Sequence, residues 1–244
     1  MTTLVAGADG CPPGWAVVLK DIAGHKASEL LACLDMASLL KLPKLPALIA
    51  VDMPIGLPDS VGPGGRSPEV ELRSLLGERK SSLFAIPSRA TVYAEDFERA
   101  CEASLATSIP PRKISIQAFH LFPKIRELDA LIRADMGLVS ILRECHPEGA
   151  FMMMNRREPL SEPKKIKSAI NPAGINQRKK LLLEVAGFSE EFLKTRPPKG
   201  VGADDFIDAC ACAWVAEKLA RGEAISFPAR PERDSFDIPM AIWA

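Results

Sequence analysis

Two short apolar runs in this chain each end on an aspartate and a turn. They are Leu4-Val-Ala-Gly-Ala-Asp9-Gly and Ala47-Leu-Ile-Ala-Val-Asp52, the second followed by Met-Pro-Ile-Gly-Leu-Pro58. Apolar runs of this length, bounded by glycine and proline, have the form of central strands covered on both faces. A carboxylate at the end of a buried strand is costly unless something pairs with it. Ligands of α/β sheets collect at strand carboxyl ends, so the same feature that demands a layered α/β fold also marks where a site would sit.

The rest of the chain can be ordered around these runs. After the Pro12-Pro13-Gly14 turn, residues 15–20 read as the hairpin partner of the first strand, and a third strand is predicted over 28–34. Helical spacing appears over 35–42, 68–76, 94–105, 117–133, 177–186 and most strongly 203–221, where Asp204 is placed to cap the start and Gly222 to stop the end. Residues 141–146 read as a strand leading into Pro147-Glu148. There are no internal repeats. The 244 residues thus predict one mixed α/β domain spanning 1–244, with an insertion after the fourth strand (about 58–115) and a basic loop-helix segment (about 151–200).

Charge narrows the partners less than it first suggests. Thirty-one basic and thirty-one acidic residues cancel, so no global attraction to nucleic acid is expected. Residues 151–200, however, carry eleven Lys/Arg against five acids, a local basic face. The six cysteines show no CxxC spacing and read as reduced thiols of a cytoplasmic protein. The opening residues lack a basic stretch followed by an apolar one, so no secretory signal is expected. No apolar run approaches the roughly 20 residues of a membrane span. Aromatic residues make up 6%, too few to predict a stacking surface for single strands, and Trp15 and Trp214 are expected to pack the first hairpin against the last helix.

A third acidic element, Asp204-Asp205-Phe-Ile-Asp208-Ala209, opens the last predicted helix. Asp205 and Asp208 are three apart and share a helix face, backed by the small residues Ala209, Cys212 and Ala213 that would let the helix approach the sheet closely. Any single aspartate could be a turn former or cap, and Asp204 is read that way. Together, Asp9, Asp52, Asp205 and Asp208 cannot all stay ionised and close without a cation, and oxygen-only donors suit Mg²⁺ or Mn²⁺. Glu148, in His146-Pro147-Glu148, is a further carboxylate able to act as a general base or simply to cap the next segment. His146 is as readily a structural hydrogen-bonding residue. Lys164, Lys165, Arg178, Lys179 and Lys180 form the basic surface, with Lys164 best placed to reach a phosphate and Arg178 beside it as a second ligand. Arg66, Arg73 and Arg89 are other phosphate-clamp candidates, because a planar guanidinium matches phosphate oxygens. Gln117 could bond substrate or merely start a helix.

The motif Gly7-Ala-Asp9-Gly-(x3)-Gly14-Trp15-Ala-Val resembles the first hairpin of the ribonuclease H-like superfamily, in particular its Holliday-junction resolvase branch. There an acid on strand one, an acid on strand four and Asp-x-x-Asp-Ala on the last helix bind metals, an order matched by Asp9, Asp52 and Asp205-x-x-Asp208-Ala209. A resemblance over nearly the whole chain is to domain-of-unknown-function family 429, described as predicted nucleases. It rests on Asp9-Gly-Cys-Pro-Pro-Gly14-Trp15, Asp52-Met-Pro-Ile-Gly-Leu57, Arg66-(x6)-Arg73-(x3)-Gly77, Phe84-(x2)-Pro87-(x1)-Arg89, His146-Pro-Glu148 and Asp204-Asp205-(x2)-Asp208-Ala209. Glu69 stands where that family usually has Asp, which keeps the charge on a longer arm.

The resemblance implies a ribonuclease H-like mixed sheet, with strands 1–3 antiparallel and strands 4–5 parallel, flanked by helices. It also implies a Mg²⁺- or Mn²⁺-dependent nuclease cutting phosphodiesters of DNA or RNA. In that reading Asp9, Asp52, Asp205 and Asp208 hold the metal and Glu148 tunes or deprotonates the water, while the basic residues hold flanking phosphates. A homodimer would accord with the resolvase branch. Two rivals are a nucleotide phosphohydrolase or phosphotransferase of the actin-like ATPase type and a non-catalytic module binding nucleic acid or protein.

Overall fold

The strand β1 (Leu4–Cys11) is buried along nearly its whole length because both of its faces are covered, as its unbroken apolar sequence requires. The structure is a computed structural model and describes residues 4–167 and 169–244. β1 pairs antiparallel with β2 (Gly14–Asp21), which pairs antiparallel with β3 (Glu29–Cys33). After α1 (Met36–Leu40), β4 (Ile49–Asp52) returns parallel to β1 on its other side.

The chain then leaves the sheet through α2 (Ser67–Leu75), a 3₁₀ turn at Gly77–Ser82, α3 (Arg89–Val92), α4 (Phe97–Thr107) and α5 (Ile116–Ala134), and re-enters as β5 (Leu142–Glu144), parallel to β4. The resulting order, β3-β2-β1-β4-β5, is the ribonuclease H-like mixed sheet expected from the sequence. Beyond it come α6 (Pro147–Met154), the short hairpin β6 (Lys165–Ile166) and β7 (Ala169–Ile170), α7 (Pro172–Glu184), α8 (Glu190–Leu193), α9 (Ala203–Arg221), and a final hairpin of β8 (Ser226–Arg233) and β9 (Pro239–Trp243).

The strand period of two decides what each face meets. Val5, Ala16, Val18 and Ala50 pack with α9 residues including Ile207, Ala211 and Val215. Their neighbours Ala6, Ala8, Val17, Ile49 and Val51 pack on the other face with Met36 and Leu39 of α1 and Phe122, Ile125 and Leu128 of α5. Trp15 belongs to this second face and donates its indole N–H to Glu127 of α5 at 3.2 Å, so it does not pack against the last helix as expected. Trp214 does sit in the α9 core. The correction follows from parity: Trp15 is one residue away from Ala16, which faces α9.

Contact between α9 and β1 is unusually close. At Gly7 a Cβ would stand 2.0 Å from the backbone nitrogen of Ala213 and 2.2 Å from the carbonyl oxygen of Ala209. The small residues Ala209 to Ala213 on α9, all fully buried, are what allow this approach. α9 occupies the predicted range and stops at Gly222, which adopts φ +70°, but its N-cap is Gly202 and not Asp204. Two further differences concern α6, which begins at Pro147 where only a strand end was expected, and the β8–β9 hairpin, whose charged and proline-containing sequence gave no strand signal. All six cysteines are unpaired and buried. Among the described residues no helix is long and apolar enough to cross a membrane.

Candidate functional site

Parity and register bring the first two acids together. Asp9 and Asp52 are paired neighbours at the carboxyl ends of β1 and β4, and both lie on the sheet face that α9 covers. Each carboxyl group lies near enough to shift the other. Asp208, one α9 turn beyond the helix start, reaches the same place and is 3% exposed. Burial, then Asp52 and Asp208, pushes Asp9 well above the usual carboxylate range. Burial raises Asp52 to about 7 and Asp208 to about 6, with Lys164 opposing the rise in both.

Lys164, just ahead of β6, forms an ion pair with Asp208 and stands 3.9 Å from Asp204. Burial alone would depress this lysine, but Asp208, Asp9 and Asp204 raise it, so it stays charged among the acids. Among the described residues no group of three or more acidic, His or Cys side chains is arranged to hold a metal ion, and the lysine supplies the positive charge. The donor chemistry nevertheless suits a hard divalent cation. All donors are carboxylate oxygens, and Asp208 Oδ1 and Glu148 Oε2 are buried without a hydrogen-bond partner.

The neighbouring aspartates divide differently from expectation. Asp205 accepts the backbone N–H of Gly202 at 2.9 Å and so supplies the capping carboxylate, while Asp204 turns to Lys165 at 2.5 Å. Asp205 still lies near enough to raise Asp9, so it borders the cluster. Glu148 lies beyond Asp208, on the first turn of α6, and is bound by the wholly buried Arg178.

The four arginines expected as phosphate ligands all make contacts within the fold. Arg178 spends its guanidinium on Glu148, Glu162 O and Gly174 O. Arg66 is buried, bound to Glu69 at 2.5 Å and Glu144 at 2.6 Å, and donates to the carbonyls of Ile55 and Gly56, fixing the turn that follows Asp52. Arg73 donates to Gly64 O and Leu83 O. Arg89 is taken up by Asp129 and Asp234. In each case the guanidinium meets carboxylates or carbonyls within the fold, although Arg89 Nε and Arg178 Nε are buried without a partner. Gln117 and Lys180 are not buried, on helices other than α9, and Lys180 pairs with Glu184.

The cluster opens into two adjoining chambers that share Asp52, Ser82, Phe84 and His146. One, of about 220 Å³, is lined by Asp9, Glu69 and Glu144 and by apolar residues that include Met53, Leu83, Ile86, Leu121 and Ile242. The other, of about 490 Å³, is lined by Arg79, Lys164, Lys165 and Lys167 together with Glu148 and Asp208. Of the six buried side-chain polar atoms without a partner among the described residues, four belong to this second lining: Arg79 Nε, His146 Nδ1, Glu148 Oε2 and Asp208 Oδ1. His146 is held neutral by burial, and its Nε2 lies 3.4 Å from Ser82 O.

Phe84, Arg79, His120 and Lys124 were not foreseen as wall residues. Phe84 is 40% exposed and lines both chambers. The signal that could have found it is its place in the motif Phe84-(x2)-Pro87-(x1)-Arg89. For His120 and Lys124 there was none, because helical periodicity accounted for both. A family model described as "Protein of unknown function (DUF429)" matches residues 7–233. No curated protein and no solved structure matches the chain.

Proposed function

We propose that this chain, which belongs to the DUF429 family of proteins of unknown function, hydrolyses phosphodiester bonds of nucleic acid with the help of Mg²⁺ or Mn²⁺. The observation that carries the reading is the meeting of Asp9, Asp52 and Asp208 at paired strand ends, each with its carboxyl raised by burial. Such an arrangement is unfavourable in itself and gains most from a cation. Asp9, Asp52 and Asp208 would hold the ion, with Asp205 at the border of the set. Bound there, it would supply Lewis acidity toward a phosphate oxygen and a lowered pKa for water.

The remaining roles belong to the chain's own side chains. Lys164 exchanges its pairing with Asp208 for a phosphate oxygen when substrate and cation arrive, keeping the local charge balanced. Arg79, Lys165 and Lys167 neutralise the flanking phosphate. Glu148, fixed through one oxygen by Arg178, has Oε2 free to accept a proton. His146 is neutral and can accept or donate one hydrogen bond to substrate.

The test is cleavage of labelled single-stranded DNA, duplex DNA and RNA with Mg²⁺, Mn²⁺ or a chelator, for the wild type and Asp9→Asn. Metal-dependent cleavage that disappears in a folded Asp9→Asn protein is the expected result. Cleavage that survives the substitution, or none on any polymer, overturns the proposal. A second reading, a non-catalytic binding module, is favoured by one observation: the Lys164–Asp208 ion pair satisfies the acids without metal. In that case Asp9→Asn leaves nucleic-acid binding intact and no substrate is cut.

A further inference from the structure

We infer that the apolar chamber receives a single unstacked nucleobase, which makes the substrate of the proposed reaction an unpaired nucleotide and not a continuous duplex. This rests on the phosphodiester reading above and adds the substrate class to it. The first observation is the contrast between chambers that meet at one point. The smaller is walled largely by Met53, Leu83, Ile86, Leu121 and Ile242, with Asp9, Glu69 and Glu144 also in its lining, and the larger carries Arg79, Lys164, Lys165 and Lys167 beside Glu148 and Asp208. Asp52, the shared acid, lies between them. A ligand bridging both therefore has a largely apolar end and an anionic end, joined by a linker that passes the carboxylates, as the sugar joins base and phosphate. One nucleotide unit has this form.

Size gives the second argument. At about 220 Å³ the apolar chamber falls below the roughly 300–1,000 Å³ of sites for drug-sized ligands, so it admits one ring system and excludes a base pair. The third is Phe84. It is 40% exposed and lines both chambers, a placement that puts an aromatic ring where a base would enter past Asp52. His120 adds a polar group to this lining, while Lys124 is already bound to the Gly14 carbonyl over the Trp15 ring. A base that remains stacked and paired cannot enter such a pocket, so an unpaired end, a single strand or an extruded nucleotide is required. The low aromatic content fits this reading, since one base needs only one platform.

The experiment compares calorimetric binding of AMP and ribose 5-phosphate, which differ only by the base, to the wild type, Phe84→Ala and Lys167→Ala. AMP should bind at least about tenfold more tightly, within the scale of one stacked base. Phe84→Ala should remove most of that difference while leaving ribose 5-phosphate unchanged, and Lys167→Ala should weaken both ligands alike. Equal binding of the two ligands, absence of binding by both, or a preference untouched by Phe84→Ala overturns the inference. Parallel cleavage of single-stranded and blunt duplex DNA separates this result from the fate of the reaction. A base preference without cleavage of any polymer leaves the pocket standing and sinks the nuclease proposal. Cleavage of duplex as fast as single strand, without a base preference, does the reverse.

Discussion

Substituting Gly7→Ala tests whether the approach of α9 to β1 sets the site. The added Cβ would lie 2.0 Å from Ala213 N, 2.2 Å from Ala209 O and 2.6 Å from the carbonyl carbon of Cys212. Ordinary contact begins near 3.4 Å, so the helix must retreat by more than 1 Å at this point. All three neighbours are backbone atoms, so no rotamer change can absorb the clash. Overpacking of this kind costs about 1–3 kcal/mol, and a backbone clash belongs at the upper end. For a chain of this size that lowers the melting temperature by roughly 6–12 °C, at about 2–4 °C per kcal/mol. The same retreat carries Asp205 and Asp208 away from Asp9, and a 1 Å misplacement of reacting groups costs about 10²-fold in rate. Thermal unfolding followed by circular dichroism, together with single-turnover cleavage, measures both effects. Gly62→Ala is the control, since a Cβ there meets nothing within 4 Å. A Gly7→Ala protein within about 1 kcal/mol of the wild type would refute the claim that this contact is tight.

Three further outcomes arise from the charges. Asp52 is raised from 3.8 to about 7 chiefly by burial, so its folded form binds protons that the unfolded chain has already lost. Its contribution to stability is complete below about pH 4 and is lost as pH rises through about 7. Asp52→Asn should therefore be more stable than the wild type at pH 8 in chelator, with no gain near pH 4. The rise of about three units, in which Lys164 is already counted, caps the gain at ~4 kcal/mol; urea denaturation at the two pH values decides, and a gain independent of pH would contradict the assignment. Adding Mg²⁺ at pH 8 should raise the melting temperature of the wild type and much less that of Asp52→Asn, as mass action requires of an ion that binds the folded state; equal shifts would place the ion elsewhere. Arg66→Met leaves Glu69 and Glu144 buried without their counter-charge and should cost roughly 3–5 kcal/mol in urea denaturation, whereas Arg99→Ala, which breaks an exposed pair with Glu102, should cost less than ~1 kcal/mol. Comparable losses from both would show that burial does not govern these pairs.

The features legible in the sequence were those that local pattern controls. The strands ending at Asp9 and Asp52 stood out because an apolar run that stops on an acid conflicts with burial, and the range of α9 followed from its small-residue face and Gly222. Asp205 and not Asp204 supplies the capping carboxylate because the N-cap is Gly202, two residues before Asp204. The partners of the arginines were hidden for a different reason. Arg66, Arg89 and Arg178 look the same in sequence as phosphate ligands, and their partners Glu144, Asp234 and Glu148 lie 78, 145 and 30 residues away. A guanidinium can be assigned only after the fold has shown which carboxylates it meets. The site depends on the same long-range meeting. Lys164 reaches Asp208 across 44 residues from a two-stranded hairpin that no periodicity announced, and Phe84 borders the cluster from a turn without regular structure. The sequence could therefore name the acids, which are expensive to bury wherever they stand. The groups that neutralise them and the walls that select a ligand became legible only when β1, β4 and α9 had been brought together.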